Sequence, residues 1–528
     1  MLNNKQPAVE LPQLPESYWR DSTKIPAYPK LAEDTAADVV IVGGGIVGIT
    51  TAYRLAEAGR KVVLLEADTV MGGTTGHTTA KLTAQHDLIY AQLIKDLGED
   101  NARLYYEANR DALEFVNRTI TSLGIDCGYS GQDAYLYAQT VDTLTKLQDE
   151  AEAYAKLGIP GGFVEKIPLD VPIHGAVVMH HQAQFHPLQY LSGLLPRITE
   201  AGGSIYEHTT AVDVEEGEQP VVITKDGHRV QGDHVVVCSH YPFIDRHGFY
   251  FARLHAQRSY VLGVKIAEGE HFPEGMYLSA DDPKRSVRTA ATLNGEKLVL
   301  VGGENHKTGQ GLCTIQYYEA LRDYAVRHFN VDSIPYRWSA QDLLTLDKVP
   351  YVGAVTSGMP NVHLASGFGK WGMSGGTAAA MLLSDSITGR DNPYLKLYTP
   401  QRFHVGASIK NVISENANVA KYLIAGKLEM VHKHVEDLQL GEGGVVSFNG
   451  KRAGAYKERD GVVHLVDTTC THMGCELDWN NGDRTWDCPC HGSRFSYDGE
   501  VIEGPATKAL KKLSPNNEEP EDLDTPIV

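Results

Sequence analysis

Four side chains near the C-terminus have the types and the spacing of a metal site. Cys470 and His472 form a Cys-x-His pair, and Cys488 and His491 form a Cys-x-x-His pair after fifteen intervening residues. Two thiolates and two imidazoles on paired loops can bind either one zinc ion or one iron–sulfur cluster. This spacing predicts a metal centre and leaves those two kinds of centre open.

The elements that must position these four ligands are short β segments. From Glu429 onward, Gly-Glu-Gly-Gly and Asn-Gly turns separate β-like stretches and predict a small, separate β domain. Of the seven cysteines, Cys127, Cys238 and Cys313 are scattered singly, and the others fall between positions 470 and 490. This clustering excludes a secreted, disulfide-stapled scaffold and indicates one local site.

A second motif lies at residues 38–66, which read as strand, glycine turn, helix, strand and acid. Gly43, Gly45 and Gly48 occupy the GxGxxG positions. In such a turn the first glycine makes the tight bend, the second lets the backbone approach a pyrophosphate, and the third packs helix on strand. The helix N-terminus then faces the anion, and Glu66 lies where a ribose ligand is expected. The pattern predicts a dinucleotide site.

Two further glycine-rich stretches accompany this motif. The loop MGGTTGHTTAK, which ends at Lys81, suits a position beside cofactor phosphates. We expect His77 in this loop to be a hydrogen-bonding group rather than a point of covalent flavin attachment. Further on, a strand at 362–365 leads into the turn Gly367–Gly372 and a helix at 373–387. The N–H groups at the start of this helix would stabilise the negative edge of a flavin. The alternative interpretation, a tight turn that serves only packing, is left open.

Bulk composition narrows the class of partner. The chain has 528 residues, enough for about two to four domains, and its formal charge of -19 repels nucleic acid and anionic lipid. It shows neither a signal pattern nor an apolar run of about 18 residues, which predicts a cytoplasmic protein without a transmembrane segment. Residues 1–36 are expected to form an extended surface arm, pinned by Tyr18 and Trp19.

The glycine motifs resemble, in combination, the FAD-dependent D-amino-acid oxidase superfamily, which includes glycine, sarcosine and γ-glutamylputrescine oxidases. The resemblance rests on GGGIVG with Glu66, the TTGHTT loop, HTTAVDVE, VGGE, and the DKVPYVGA and GFGKWGM pair. It covers about residues 15–402, and departs at Cys238-Ser239-His240, where relatives usually have Ala and Gly. The missing second GxGxxG argues against a nicotinamide site.

This resemblance implies bound FAD, with ribose on Glu66, adenine against Val212, pyrophosphate at the first glycine turn and flavin at the second. The cofactor-binding residues that it implies are Gly43, Gly45, Ile46, Val47, Gly48, Glu66, Ala67, Gly73, Thr74, Thr75, Thr79, Lys81, Val212, Gly369, Lys370, Trp371, Gly372 and Met373. Arg288 aligns loosely with an arginine that binds a substrate carboxylate, and a solvated surface arginine is the alternative.

The C-terminal cluster resembles the Rieske 2Fe-2S domain over about residues 430–515. The features beyond the four ligands are Cys475, Cys490, Ser493 and the Gly504-Pro505-Ala506 turn, which a zinc site does not explain. The resemblance implies Cys470 and Cys488 on one iron, His472 and His491 on the other, and a disulfide between Cys475 and Cys490. The disulfide is unusual for a cytoplasmic chain.

The predicted fold class is therefore α/β and α+β, with a Rossmann-like FAD-binding domain, an inserted substrate domain and a small all-β Rieske domain. We assign 1–36 to the arm, 37–402 to the oxidoreductase, 403–428 to a linker and 429–528 to the Rieske domain. Within the oxidoreductase, the FAD-binding parts are about 37–90, 155–245 and 335–402, and the substrate parts are about 91–154 and 246–334.

The predicted function is oxidation of a small amine or amino acid, with hydride passing to FAD and single electrons passing to the Rieske cluster and an unidentified acceptor. Two other classes stay open. One is an oxygenase, because many Rieske domains serve a mononuclear iron. The other is a non-catalytic redox sensor. Phe495 stands where respiratory relatives carry a tyrosine that donates to a cluster sulfur, so we expect an intermediate reduction potential.

Overall fold

The computed structural model describes residues 9–244, 247–291, 297–311, 313–402, 417–424, 426–427 and 431–514. Residues 403–416 of the predicted linker and the acidic tail from 515 onward lie outside these ranges, and residues 417–424 are helical. No helix in the described ranges has both the length and the apolar character that crossing a bilayer needs.

The secondary structure begins with a short helix and alternates thereafter. The helices are α1 Tyr18–Asp21, α2 Ile46–Glu57, α3 Tyr90–Leu97, α4 Glu99–Leu123, α5 Val141–Leu157, α6 Pro187–Glu200, α7 Ile315–His328, α8 Gly372–Ile387 and α9 Leu395–Tyr398. The strands before residue 402 are β1 Thr35–Val42, β2 Val62–Leu65, β3 Lys81–Leu82, β4 Ser130–Ala138, β5 Gly161–Val164, β6 Gly175–Gln184, β7 Ser204–Tyr206, β8 Ala211–Glu215, β9 Val221–Thr224, β10 Arg229–Val237, β11 Leu254–Ile266, β12 Met276–Ser279, β13 Arg285–Ala291, β14 Lys297–Lys307, β15 Val331–Thr345, β16 Tyr351–Ala354 and β17 Val362–Ser366. The later strands are β18 Gly443–Phe448, β19 Lys451–Lys457, β20 Val463–Val466, β21 Asp478–Asn480, β22 Thr485–Asp487, β23 Arg494–Ser496 and β24 Val501–Glu503.

The first sheet has the order β16-β17-β10-β1-β2-β7, with β9 joined to β10 and β8 to β9. Strand β1 pairs in parallel with β2 on one side and β10 on the other. Residues 39–42 are buried, as expected for a parallel strand covered on both faces. The predicted order of strand, glycine turn, helix and strand is confirmed.

The second sheet has the order β15-β11-β14-β13-β12-β4-β6-β3, with β5 added to β6. Strands β5, β6 and β15 belong to this second sheet. The predicted FAD-binding part 155–245 contains all of β5 and β6, and the predicted part 335–402 contains most of β15. These segments of the predicted FAD-binding parts therefore pair within the second sheet and not within the nucleotide-binding sheet. Alternation of apolar residues predicts a strand, but only the long-range partner decides its sheet, and β6 pairs with β4.

The described part of the N-terminal arm, residues 9–36, lies mostly at the surface and is anchored by a few buried side chains. Tyr18 and Trp19 are buried, and the indole N–H of Trp19 donates to the Thr78 carbonyl at 2.7 Å. The two aromatic residues thus pin the arm, as predicted, to the glycine-rich loop after β2.

One side chain of β15 ties this arm to the C-terminal domain. The Arg337 guanidinium donates from Nε to the carbonyl of Pro12 at 2.6 Å and from Nη2 to the carbonyl of Gln13 at 2.8 Å. Its Nη1 donates to the carbonyl of Gly482 at 2.8 Å. Because the Arg337 side chain is almost fully buried, these three carbonyls share one cation out of contact with bulk water.

The C-terminal domain contains two small antiparallel sheets, β18-β19-β20 and β21-β22-β23-β24. Its core includes Trp486 and Phe495, both fully buried, packed with the sulfurs of Cys470 and Cys488. The predicted all-β domain is confirmed, and the cysteine and histidine loops lie between its strands.

Candidate functional site

The first glycine turn is shaped to leave backbone exposed to a ligand. Gly43 has φ of +112°, and a Cβ there would lie 2.4 Å from the Cys238 carbonyl oxygen. A Cβ on Gly48 would lie 1.8 Å from the Gly43 carbonyl oxygen. Both positions therefore exclude any side chain, which is the requirement predicted for a pyrophosphate-binding turn.

The carboxylate of Glu66 closes this turn. It accepts hydrogen bonds from the backbone N–H of Gly44 at 2.7 Å and of Asp68 at 2.9 Å. Burial raises the pKa of Glu66, and these two backbone donors oppose the rise. The side chain is thus fixed at the C-terminal end of β2, where an acid can accept from ribose hydroxyls.

A cavity of about 1560 Å³ adjoins the turn. It exceeds the roughly 300–1,000 Å³ of a typical ligand pocket, so a dinucleotide and a small substrate can share it. The predicted cofactor residues that line it are Gly43, Gly45, Ile46, Val47, Glu66, Ala67, Gly73, Thr74, Thr75, Thr79, Lys81, Gly369, Lys370, Trp371, Gly372 and Met373. Gly48 packs behind the wall, and Ala211 lines the cavity in place of the predicted Val212. These residues fit FAD in volume and in exposed backbone.

The second glycine turn forms another part of the wall. Gly367 and Gly369 have φ of +81° and +56°, and α8 begins at Gly372. Lys370 pairs with Asp342 of β15 at 2.9 Å. A helix N-terminus with a nearby ammonium group suits the negative edge of a flavin, as predicted.

A buried histidine that the sequence did not single out also lines the cavity. The His86 ring stacks on Trp371, with centroids 4.8 Å apart, and its Nδ1 lies 2.7 Å from the hydroxyl of Tyr105. Burial lowers the pKa of His86 to about 3, so the imidazole is neutral at physiological pH. It therefore fixes the Trp371 ring without adding charge.

Lys81 and Arg288 lie close together, but only Lys81 reaches the cavity. The ammonium of Lys81 donates to the Tyr277 carbonyl at 2.6 Å, and burial together with the charge of Arg288 lowers the pKa of Lys81 to about 7. Arg288 is buried, donates to the Ala80 carbonyl at 2.8 Å and lies over the Trp19 ring. It is neither a surface arginine nor a lining residue, so this geometry gives no support to a direct grip on a substrate anion.

His77 lies in the loop between β2 and β3 and lines the cavity. Its Nδ1 lies 2.9 Å from the Gly73 carbonyl oxygen, so this nitrogen carries a proton and donates. The contact agrees with the expected hydrogen-bonding role, and burial lowers the pKa of His77.

The four predicted metal ligands lie together in the C-terminal domain. The rings of His472 and His491 are nearly perpendicular, with centroids 5.0 Å apart. Cys470 and Cys488 are buried free cysteines. Two thiols and two imidazoles are the donor set of a Rieske cluster, in which each pair holds one iron.

The second cysteine pair has a different role. Cys475 and Cys490 form a disulfide, with Cα atoms 6.5 Å apart, which confirms the predicted clamp between the two ligand loops. In the described part of the chain, the sulfurs of these two residues and of Cys488 form the group of metal-capable atoms that lie within 4.8 Å of one another. Since neither sulfur of a disulfide is a thiolate, Cys488 is the member of this group that can bind a metal through a thiolate.

Ser493 and the turn after β24 complete the surroundings of the ligands. The Ser493 oxygen accepts the backbone N–H of Ala506 at 3.0 Å, so its own proton is directed elsewhere, and its hydroxyl bonds the sulfur of Cys470. The Ser493 hydroxyl thus lies beside a sulfur of the predicted donor set, where a donor can tune a bound cluster.

The C-terminal domain is docked on the oxidoreductase through a buried carboxylate. Asp483 accepts from the hydroxyl of Tyr318 at 2.9 Å, from that of Ser339, and from Nη2 of Arg494 at 2.6 Å. Although burial raises the pKa of Asp483, the Arg494 guanidinium reverses the effect and holds that pKa below its usual range. A charged acid thus joins both domains.

The same interface reaches the large cavity. Arg258 of β11, fully buried, donates to Glu503 of β24 at 2.8 Å. Residues 500–507 line the cavity together with the oxidoreductase residues. The cavity wall is therefore shared between the two domains, which the sequence did not predict.

Two aromatic residues after β10 touch the histidine ligands. Tyr241 lines the cavity and contacts His472, with ring centroids 6.5 Å apart. Phe251, which is not a lining residue, contacts His491 at 6.0 Å between centroids. The cysteine and histidine loops thus face the oxidoreductase domain directly.

Comparison with known proteins agrees with this geometry. Residues 38–386 match the family model described as FAD dependent oxidoreductase, and residues 429–514 match the Rieske [2Fe-2S] domain. The Rieske 2Fe-2S iron-sulfur protein YhfW of Bacillus subtilis (strain 168) is 50% identical over 501 residues, covering 95% of this chain and 98% of that protein.

Two more distant relatives match the oxidoreductase part. Gamma-glutamylputrescine oxidoreductase of Escherichia coli (strain K12) is 23% identical over 387 residues, 70% of this chain and 88% of that protein. The crystal structure of glycine oxidase from Geobacillus kaustophilus aligns with a TM-score of 0.59 at 18% identity, covering 70% of this chain and 100% of that one. The chain belongs to the FAD-dependent oxidoreductase family and carries a C-terminal Rieske domain that holds a 2Fe-2S cluster.

Proposed function

We propose that this protein oxidises a small amine or amino acid at a carbon beside nitrogen and passes the electrons to its own Rieske cluster. The names of the relatives support the substrate class, since they act on γ-glutamylputrescine or glycine. When bound, FAD accepts the hydride and the cluster accepts single electrons. An external acceptor then receives electrons from the cluster.

The observation that carries this proposal is the shared wall. Tyr241 lines the cavity and contacts the cluster ligand His472. Glu503 of the Rieske domain enters the same wall and pairs there with buried Arg258. The cavity that would hold FAD and the loop that carries His472 thus meet at Tyr241, which supports electron transfer within a single chain.

The residues of the chain also prepare the substrate side. Lys81 lies at the cavity wall with a pKa of about 7, because burial and Arg288 disfavour its charge. A neutral lysine can take the proton of a substrate ammonium, which must leave before the nitrogen lone pair assists hydride loss. Neutral His86 holds Trp371 beside the predicted flavin edge.

An anaerobic screen of amines and amino acids tests the proposal. Loss of flavin absorbance followed by appearance of the reduced-cluster EPR signal supports it. In Cys488→Ala, which removes one iron ligand, flavin bleaching is expected to persist while the cluster signal disappears. Bleaching without cluster reduction in the unaltered protein would contradict the electron route.

Metal analysis separates the two alternative classes. Two irons and one FAD per chain fit the proposal, whereas a further iron would support an oxygenase. A protein in which none of the screened compounds bleaches the flavin, but whose partner binding changes with cluster state, would be a redox sensor.

A further inference from the structure

Gln341 carries a buried side-chain amide whose hydrogen-bonding groups are unused within the part of the chain that the structure describes. Its side chain is fully buried, and neither Nε2 nor Oε1 has a hydrogen-bond partner among the described residues. A buried polar group without a partner costs about 1–3 kcal/mol, and native proteins contain few of them. The amide therefore calls for a partner that the described residues do not supply.

The position of Gln341 identifies that partner. On β15, its neighbours Ala340 and Asp342 line the cavity, whereas the Gln341 side chain abuts Gly492. A Cβ on Gly492 would lie 2.9 Å from Oε1 and 3.2 Å from Cδ of Gln341. Gly492 directly follows the ligand His491, so the amide lies against the cluster-binding loop.

The loop is held tightly at this place. Gly492 has φ of +83°, and a Cβ there would also lie 2.5 Å from the Cβ of Ala256. On the other flank, a Cβ on Gly309 would lie 2.5 Å from the backbone nitrogen of Pro489. The oxidoreductase domain thus packs closely against both sides of the ligand loop.

We propose that the Gln341 amide donates a hydrogen bond to a sulfur of the 2Fe-2S cluster, so that the oxidoreductase domain sets part of the cluster's reduction potential. The oxygen and nitrogen of the amide exchange by a flip, and a sulfur acceptor selects the orientation with the N–H towards it. Reduction adds negative charge to the cluster, so a donor at sulfur stabilises the reduced form more than the oxidised form. The inference rests on the Rieske cluster and not on the proposed substrate.

The test is the reduction potential of the full-length, cluster-loaded protein in Gln341→Met, measured by voltammetry. Methionine keeps the length of the side chain and removes the donor. For a bond of about 1 kcal/mol, the reduced-to-oxidised ratio at fixed potential is expected to fall about fivefold. That change corresponds to a potential about 40 mV lower.

Gln310→Met is the matched control. This glutamine touches the same loop from the other side, but its Nε2 already donates to the Pro489 carbonyl at 3.0 Å and to Asn418 at 2.7 Å. The same substitution there is expected to leave the potential unchanged. A fall of equal size in both variants would show a general disturbance of the loop and overturn the inference.

A second variant keeps the inference testable if Gln341→Met fails to load the cluster. Gln341→Leu removes both polar groups of the side chain at this buried position, so its potential is expected to fall by the same amount. The EPR spectrum of each variant verifies an intact cluster. An unchanged potential in either loaded variant would mean that the amide does not reach the cluster.

Discussion

Replacing Asp483 is expected to weaken the docking of the two domains. Its side chain is 4% exposed and accepts from Tyr318, Ser339 and Arg494. In Asp483→Ala, Arg494 would keep Asp487 at 3.2 Å and Glu503 at 3.8 Å, so its charge is not left wholly uncompensated. Removing one partner of a buried pair costs about 3–5 kcal/mol, and the remaining carboxylates favour the lower end, about 3 kcal/mol.

The assay is urea unfolding of the loaded protein, followed by the visible circular dichroism of the cluster. Asp498→Ala is the matched control, because Asp498 pairs with Lys512 at 3.2 Å on the surface and such exposed pairs contribute about 0–1 kcal/mol. Asp483→Asn keeps the shape of the side chain, and its loss in free energy of unfolding is expected to lie between those of the two alanine variants. If the free energy of unfolding falls no more in Asp483→Ala than in Asp498→Ala, the buried carboxylate does not hold the interface.

Three other predictions follow from single side chains. Phe495→Tyr adds a donor beside the cluster cysteines and is expected to raise the potential by about 40 mV in voltammetry; a potential that stays the same or falls would mean the phenol cannot reach a sulfur. Gly48→Ala sets a Cβ 1.8 Å from the Gly43 oxygen, so the purified protein should contain little FAD, and normal FAD content would contradict the role of the turn. His363 is buried 3.3 Å from His234, and burial first, then His234, lowers its pKa to about 3. In the unfolded chain this histidine takes up a proton below about pH 6.5, whereas in the folded protein it stays neutral. The free energy of unfolding should therefore fall by up to about 1.4 kcal/mol per pH unit below that pH. His363→Gln should make this free energy less dependent on pH, and parallel curves for the two proteins would refute the assignment.

Local chemistry was predictable from the sequence because it depends on short spacings. The glycines of the first turn and the Cys-x-His and Cys-x-x-His pairs each act within a few residues, and the structure places them together. The disulfide between Cys475 and Cys490 was predicted from the resemblance to the Rieske domain.

Contacts between distant segments were not predictable. Nothing near Gln341 in the sequence indicates that it meets Gly492, or that Tyr241 meets His472, because these pairs depend on how two domains dock. Arg288 illustrates the same limit, since a weak alignment suggested a substrate ligand and the N-terminal arm instead buries it under Trp19. The sheet that β6 joins was not predictable either, because its partner β4 lies in another segment.

Arg337 has a consequence for the order in which the protein can be completed. Its guanidinium holds the carbonyls of Pro12 and Gln13, which precede it in the chain, and that of Gly482, which follows it. Contacts of such long sequence separation form late, because the chain between them must already be ordered. During synthesis the arm can reach Arg337 early, but the third carbonyl arrives only when the C-terminal domain has left the ribosome. In a ribosome-bound chain that still lacks this domain, the Arg337 guanidinium would therefore miss one of its three hydrogen-bond acceptors. Such an incompletely packed site is a feature of the incomplete chains on which chaperones act.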